Sequence, residues 1–229
     1  MFTVDQLYGG HLSAHTLSLT FDDGPGPKTY ALAEYLNKQN IPATFFMVGK
    51  HLEEYPEAPE RLRALGHLAG NHTYNHFDLT DNRLSGNELV NEVEHTTTLL
   101  HTRPEDKTVF FRAPYGYWNE QVATCLNSKL DKVRRYRGPY YWDVDARDYL
   151  FWQHGQQSAA CANAYLNDIQ KVGRGIVLMH DSCADNEVIK KNNLTFEAIK
   201  IMVPRLKELG YRFVRLDTIT NNTYEPVKA

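Results

Sequence analysis

The sequence has little of what defines a disulfide scaffold, a zinc knuckle or a membrane protein. Its 229 residues include only three cysteines, Cys125, Cys161 and Cys183, and none of them forms a Cys-x-x-Cys pair. The wide spacing excludes a dense disulfide framework and predicts reduced or partly buried thiols, while it leaves a single bridge open. No apolar run approaches the length that spans a bilayer, so we expect no transmembrane helix.

The chain also lacks a large excess of charge of one sign, and residues 1–5 show no targeting signal. The formal net charge of −3 supplies neither a basic field for nucleic acid nor a polybasic membrane patch. Residues 1–5 lack the basic and apolar regions of a signal peptide, so the residues alone leave open an intracellular protein or a removed leader. No repeat, low-complexity tract or linker divides the chain. We therefore predict an N-terminal arm at residues 1–14 and one domain at residues 15–229.

Aromatic side chains are abundant by comparison. The chain has 14 Tyr, 10 Phe and 3 Trp, more than a minimal core needs. Such rings are typical of sugar-binding clefts, but they also fill ordinary cores, so each single ring fits both interpretations. The hydrophobic fraction of 42% is that of a soluble globular domain with a sizeable core.

Short β-prone runs alternate with amphipathic segments along the whole chain. The β-prone runs predict strands at residues 17–21, 43–48, 67–69, 108–111, 140–145, 175–179 and 211–216. The amphipathic segments predict helices at residues 28–40, 51–65, 85–100, 119–127, 157–171 and 194–209. This order predicts an α/β fold of parallel βαβ units, wound as a barrel or an open sheet. Polar residues gather just after strands, where such folds place their chemistry.

The first predicted strand ends on two adjacent carboxylates, Asp22 and Asp23, followed by a Gly-Pro breaker. Neighbouring side chains on a strand point in different directions, so one carboxylate could bind a cation while the other acts as a base. A solvated turn is the alternative interpretation, because turn chemistry favours all four residues.

Two histidines, His72 and His76, are spaced i and i+4. If the segment is helical, both imidazoles lie on one face, as a divalent metal requires. With one aspartate from the first strand they would make a set of two nitrogens and one oxygen, leaving a coordination position open for water. The alternative is a pair of ordinary surface or core histidines.

Three further strand ends carry titratable groups. Arg112 follows an apolar strand and could orient a carboxylate, or it could form an ordinary rim salt bridge. Asp145 and Asp148 form another carboxylate pair. His180 ends a buried-looking strand, and pairing with Asp148 would hold it protonated as a general acid, whereas a lone histidine there is more often structural.

Taken in chain order, these segments resemble the five motifs of the polysaccharide deacetylases, which are carbohydrate esterase family four, the nodulation-deacetylase homology domain. The segments are Thr20-Phe21-Asp22-Asp23-Gly24-Pro25, His72-Thr73-x-x-His76, Arg112-Ala113-Pro114-Tyr115-Gly116, Asp145-x-x-Asp148-Tyr149 and Leu178-x-His180-Asp181. The resemblance runs from about residue 15 to residue 217. It implies a distorted, TIM-like (β/α) barrel and a secreted or cell-surface location.

The resemblance also implies a role for each matched residue. The metal ligands would be Asp23, His72 and His76, with zinc as the usual metal and cobalt or nickel often accepted. The catalytic base would be Asp22 with Arg112 as its orienting partner, and the acid would be His180, tuned by Asp148. The backbone N–H of Tyr115 would hold the oxyanion, and Leu178 would line the acetyl pocket.

One residue departs from the family pattern. Family members commonly have Trp after the second Asp of the fourth motif, where this chain has Tyr149, and we expect Trp152 to compensate in part at the substrate pocket. The implied activity is removal of acetate from N-acetylglucosamine-type residues of chitin, chitooligosaccharide or peptidoglycan. The alternatives are O-deacetylation of acetylxylan, hydrolysis of cyclic amides without a metal, and sugar binding without catalysis. The loops at residues 131–141 and 181–193 are candidates for the groove that selects the glycan.

Overall fold

The computed structural model describes residues 1–100 and 108–219. Its strands are β1 (Thr16–Gly24), β2 (Ala43–Met47), β3 (Leu68–Asn71), β4 (Val109–Phe110), β5 (Tyr136–Arg137), β6 (Gly175–His180) and β7 (Arg212–Phe213). Its α-helices are α1 (Thr29–Lys38), α2 (Gly49–Glu54), α3 (Ala58–Ala64), α4 (Gly86–Leu99), α5 (Glu120–Lys129), α6 (Asp148–Gln153), α7 (Ser158–Val172), α8 (Glu187–Asn192) and α9 (Thr195–Glu208).

Strand β1 lies at the centre of the main sheet, whose strand order is β3-β2-β1-β6, with β7 paired to the start of β1. All of these pairs are parallel. The alternation predicted for β1 is present, but both of its faces are buried. The apolar side chains Leu17, Leu19 and Phe21 belong to the main core cluster. Polar Thr20 and Asp22 lie on the other face, as period-2 geometry requires.

Among the described residues, one isolated bridge connects the β3 edge of this sheet to the second sheet, which consists of parallel β4 and β5, and another lies at the β6 edge. Asn71 at the end of β3 bridges Phe111, and Val144 bridges Val177 in β6. The strands therefore follow one another around a shared interior without a continuous closed ladder. The predicted α/β class with a parallel sheet is confirmed, and the barrel is interrupted at these bridges.

Helix boundaries follow local signals in the sequence. Ser85 and Glu88 form a capping box at the start of α4, and the Asn119 side chain caps α5. The segment predicted as helical at residues 51–65, with Pro56 and Pro59 near its start or in a break, forms two helices, α2 and α3, and Pro56 falls between them.

The predicted strand at residues 140–145 is wrong, since this segment makes only isolated bridges at Tyr140 and Val144. Residues 1–14 form part of the folded body: Phe2 and Leu7 are buried, and the Leu7 N–H donates to Pro139 O at 2.8 Å. No helix among the described residues is long and apolar enough to cross a membrane. The three cysteines are unpaired.

Candidate active site

The end of β1 holds Asp22 against the buried Arg112. One guanidinium nitrogen, Nη1, donates to Thr20 Oγ1 and to Asp22 Oδ1, both at 2.8 Å. The two acceptors are two residues apart on one strand, so they lie on the same face and a single donor reaches both. The structure thus brings Arg112 to Asp22, the partner that the family resemblance implies.

Arg112 is fully buried, with 0% exposure, so its position is fixed by its contacts. Nε donates to Tyr140 O at 3.2 Å and Nη2 donates to Tyr141 O at 3.0 Å. The guanidinium also lies 4.5 Å from the centre of the Phe46 ring. Burial raises the pKa of Asp22 above its ordinary value, and the positive charge of Arg112 opposes the rise. A raised pKa suits a carboxylate that must take up a proton.

Asp23 faces away from Asp22 because its backbone leaves the strand conformation. Its φ of 70° is in the left-handed region, and β1 has a register irregularity between Asp22 and Gly24. His51 Nδ1 donates to Asp23 O at 2.7 Å and holds this backbone in place. The Asp23 side chain accepts from the Ala184 N–H through Oδ2 at 3.0 Å. Its other oxygen, Oδ1, is buried without a hydrogen-bond partner.

Asp23, His72 and His76 form a cluster whose ligand atoms lie within 4.8 Å of one another. Asp23 Oδ1 is 3.6 Å from His72 Nε2 and 3.2 Å from His76 Nε2. A buried carboxylate oxygen without a donor is costly, and a cation at this point would satisfy it. Two imidazole nitrogens and one carboxylate oxygen are also a suitable donor set for zinc. The residues present therefore fit a divalent metal.

The segment from His72 to His76 is a loop, so the condition under which a helix would align the two histidines is not met. Thr73 and His76 have φ values of 65° and 64°, and these left-handed residues turn the chain so that both imidazoles converge on Asp23. Glu92 in α4 holds the loop by accepting from the Asn75 N–H at 2.8 Å. The two histidines that the spacing singled out do converge on Asp23, but from a loop and not from a helix.

Each histidine of this cluster uses Nδ1 for a protein contact, which leaves Nε2 facing Asp23. His72 Nδ1 donates to Arg112 O at 2.9 Å, and His76 Nδ1 donates to Asp185 Oδ2 at 2.7 Å. Burial, together with the nearby His76, lowers the pKa of His72 to about 3, so His72 is neutral. Although burial lowers it, the carboxylates of Asp23 and Asp185 raise the pKa of His76. Both contacts fix the tautomer that a metal ligand needs.

His180 lies beside Asp22 in the parallel ladder of β1 and β6. Its Nδ1 is 2.6 Å from Asp148 Oδ1, and its backbone N–H donates to Asp148 Oδ2 at 2.8 Å. Burial works against the charged imidazolium, but Asp148 outweighs it and raises the pKa of His180 to about 10. Thr195 Oγ1 donates to Asp148 Oδ2 at 2.9 Å and completes this arrangement. A histidine held in this way is a proton donor at neutral pH.

A cavity of about 350 Å³ opens over these groups. Besides the carboxylates and histidines, its lining includes Tyr115, Leu178 and Tyr149. Leu178 is buried and presents an apolar wall, and Tyr115 is in the left-handed conformation with φ of 57°. Asp145 also lines the cavity, and burial raises its pKa. The sequence correctly predicted that these residues gather at one site, and their individual roles stay predictions.

Trp152 is not among the residues that line the cavity, so it is not placed to contact a substrate as we expected. It is fully buried in α6, and its indole N–H donates to Thr195 Oγ1 at 3.0 Å. Because Thr195 in turn donates to Asp148, the indole is linked through hydrogen bonds to the pair of Asp148 and His180. The tryptophan that lines the cavity is Trp142, whose ring stacks on Tyr141 at a centroid distance of 3.9 Å.

The sequence analysis expected two loops to line the groove, and it missed several single residues at the site. The loop at residues 181–193 was expected to line the groove, and it supplies the following residues to the cavity: Ser182, Cys183, Asp185, Asn186 and Ile189. Residues 131–141, also expected there, are absent from the cavity lining. Tyr117 and Glu92 had no signal, because a lone tyrosine or a helical glutamate has no distinctive spacing.

The site combines two imidazoles and a carboxylate, which can bind a metal, with a second carboxylate that an arginine holds in place. On a parallel α/β fold, this combination is typical of metal-assisted hydrolases. The comparisons with known proteins specify the class further. A family model described as polysaccharide deacetylase matches residues 9–129. The chain therefore belongs to the polysaccharide deacetylase family, whose members are carbohydrate deacetylases and thus hydrolases.

Individual relatives agree with this family. A chitooligosaccharide deacetylase of Azorhizobium caulinodans is 33% identical over 86% of this chain and 90% of its own length. A peptidoglycan-N-acetylglucosamine deacetylase of Bacillus cereus is 26% identical over 95% of this chain and 73% of its own. A crystal structure of the Bc1960 peptidoglycan N-acetylglucosamine deacetylase superposes with a TM-score of 0.73, at 26% identity, over 92% of this chain and 90% of the other.

Proposed function

We propose that this chain is a zinc-dependent N-deacetylase that releases acetate from N-acetylglucosamine residues of a chitooligosaccharide or of peptidoglycan. The observation that carries the proposal is the placement of Asp22 beside, but outside, the cluster of Asp23, His72 and His76. One carboxylate can bind the cation while the other accepts a proton, and the two together allow hydrolysis of an amide in one site. The names of the relatives in Azorhizobium caulinodans and Bacillus cereus support the substrate class.

Asp23, His72 and His76 would hold the metal. When bound there, a divalent cation supplies a Lewis acid that polarises a carbonyl and lowers the pKa of water. Zinc is the favoured ion because two imidazoles and one carboxylate leave a tetrahedral position open. Cobalt or nickel fits the same donors.

The protein's own groups carry the proton transfers. Asp22, held by Arg112, takes a proton from the attacking water. The backbone N–H of Tyr115 donates to the oxyanion that forms on the former carbonyl oxygen. His180, held protonated by Asp148, gives its proton to the departing amine of the sugar, so that the C–N bond can break. Leu178 packs against the acetyl methyl group.

Acetate release from chitopentaose, from peptidoglycan and from acetylxylan tests the proposal. Each substrate is assayed with the protein as purified, after chelation, and after zinc or cobalt is restored. We expect release from chitopentaose or peptidoglycan that chelation abolishes and metal restores. Release from acetylxylan alone would move the assignment to an O-esterase. Metal-loaded protein that binds the glycans without releasing acetate would be a carbohydrate-binding domain, and the proposal would be wrong.

A further inference from the structure

A single carboxylate oxygen of Asp185 contacts both His76 and Tyr115 at the candidate site. Its Oδ2 lies 2.7 Å from His76 Nδ1 and accepts a hydrogen bond from Tyr115 Oη at 2.9 Å. His76 is a candidate metal ligand, and Tyr115 is the residue whose backbone N–H is proposed to hold the oxyanion. Asp185 belongs to none of the five motifs, so nothing in them assigns it a role.

The Asp185 contact determines how the His76 ring is presented. Because Nδ1–H donates to the carboxylate, the lone pair of the neutral ring is on Nε2, which lies 3.2 Å from Asp23 Oδ1. Metal-binding histidines commonly donate the other ring N–H in this way, and the partner fixes both tautomer and ring orientation. His72 uses an uncharged partner, the Arg112 carbonyl, so the two histidines are held by groups of different charge.

The segment that carries Asp185 is itself tied to the site. The neighbouring Ala184 N–H donates to Asp23 Oδ2 at 3.0 Å, and Lys50 Nζ donates to Ala184 O at 3.0 Å. These two bonds hold the backbone next to Asp185 against a metal ligand on one side and α2 on the other. The backbone that carries the Asp185 carboxylate is therefore held in place by contacts with the rest of the fold.

Asp185, His76 and Tyr115 also separate two spaces on the surface. All three line the 350 Å³ cavity, and all three line an adjoining groove of about 910 Å³. The Tyr115 ring lies 4.6 Å from the His76 ring, and its hydroxyl donates to Asp185, so the three side chains contact one another between the two spaces. Tyr115 is a non-glycine residue with positive φ, a conformation that needs support from its surroundings.

We propose that Asp185 is a positioning residue that fixes the His76 ring for metal binding and anchors Tyr115 at the wall of the cavity. The proposal rests on the proposed function, because the metal site and the oxyanion donor are parts of it. A change at Asp185 should therefore weaken metal binding before it affects folding, since the Asp185 side chain is 44% exposed.

The experiment measures Zn²⁺ affinity of the full chain by competition with a chromogenic chelator. We expect Asp185→Ala to bind Zn²⁺ about 10- to 100-fold more weakly, the usual effect of losing such a partner. Glu187→Gln is the matched control: it removes one negative charge two residues away, from a side chain that is 88% exposed, and should stay within about twofold of the unaltered chain. Thermal unfolding of the metal-free proteins checks folding, and Asp185→Leu, which also removes the acceptor of the His76 Nδ1–H, replaces Asp185→Ala if the alanine variant does not fold.

A third variant separates the two contacts of Asp185. Tyr115→Phe keeps the His76 contact, so we expect unchanged Zn²⁺ affinity and a lower kcat on the glycan. If the unaltered chain binds Zn²⁺ and releases acetate while Asp185→Ala binds Zn²⁺ as tightly, the inference is wrong and the proposed function stands. If the unaltered chain binds no divalent metal, the proposed function is wrong.

Discussion

At the scale of single residues, one backbone angle separates two adjacent carboxylates. Asp22 keeps the strand conformation and faces Arg112, while Asp23, with φ of 70°, turns toward the histidines. The sequence predicted two tasks for this pair from strand geometry alone. It did not predict His51, whose ring fixes the Asp23 carbonyl, because a single histidine in a helical segment has no distinguishing pattern.

The charge of Asp148 should set the pH range of activity. It raises the pKa of His180 to about 10, so the acid stays protonated until the pH rises through that value. In Asp148→Asn burial, which lowers the pKa of a histidine, is opposed only by the smaller effects of the Asp23 and Asp22 charges. We expect the alkaline limb of the kcat profile to move down by more than about one pH unit toward, or below, the ordinary histidine pKa of about 6.5.

A matched variant distinguishes this charge effect from loosened packing. Thr195→Val removes a hydrogen bond to Asp148 but leaves its charge, so the alkaline limb should stay where it is even if kcat falls. An Asp148→Asn enzyme whose alkaline limb coincides with that of the unaltered chain would show that His180 is not the titrating acid.

At the scale of elements, strong periodic segments were predictable and short ones were not. Helices α1, α4, α7 and α9 have 10 to 15 residues and appeared at the predicted places. Helices α6 and α8 have six residues each, too few to show a helical period, and both were missed. Their positions matter, since α6 begins at Asp148 and α8 follows the loop that carries Asp185.

The loop from His72 to His76 shows why the spacing of two histidines was insufficient. An i and i+4 pair fits a helix, but here left-handed residues and the Glu92 contact build a turn instead. Tertiary contacts decided the conformation, and Glu92 is 16 residues away in sequence from His76. No local pattern contains that information.

The capping box of α4 should make a measurable contribution to stability. Ser85 Oγ accepts from the Glu88 N–H at 3.3 Å, and the Ser85 N–H donates to Glu88 Oε2 at 2.7 Å. We expect Ser85→Ala to lower the free energy of unfolding in urea by about 1 kcal/mol. Thr98→Ala in the same helix removes an exposed hydroxyl away from the cap, and it should cause no loss, because Ala is the better helix former. Equal losses in both variants would contradict a specific role of the cap.

At the scale of the whole molecule, the N-terminal arm packs as a part of the core. The Phe2 ring contacts Phe111, Trp118 and Tyr136 at centroid distances of 4.9 to 5.5 Å. The Phe2 N–H donates to Asn127 Oδ1 at 3.0 Å. The sequence indicated an arm but no partner for it, since a single Phe near the terminus has no period to interpret.

Truncating this ring should therefore destabilise the entire fold. We expect Phe2→Ala to lower the free energy of unfolding by about 3 kcal/mol, the lower end of the range for a buried Phe. Val4→Ala in the same arm removes an exposed side chain and should stay within about 0.5 kcal/mol. A Phe2→Ala protein that unfolds at the same urea concentration as Val4→Ala would show that the arm is peripheral.

The strands around the interior also explain why the five motifs converge. Asp22, His72, Arg112 and His180 all lie at or just after strand ends, and parallel strands place those ends at one side of the sheet. That convergence was predictable from the alternation of elements. The isolated bridges at the two edges of the main sheet were not, because a bridge of one residue pair leaves no alternating pattern.

The division of labour between the two aspartates is the central claim, and one paired measurement tests it. Metal content and acetate release from chitopentaose are determined together for the unaltered chain, Asp22→Asn and Asp23→Asn, which remove the same charge one residue apart. We predict that Asp22→Asn keeps its metal and loses at least about 100-fold in turnover, whereas Asp23→Asn loses the metal itself. Equal metal loss in both variants, or near-normal turnover by Asp22→Asn, would contradict the account.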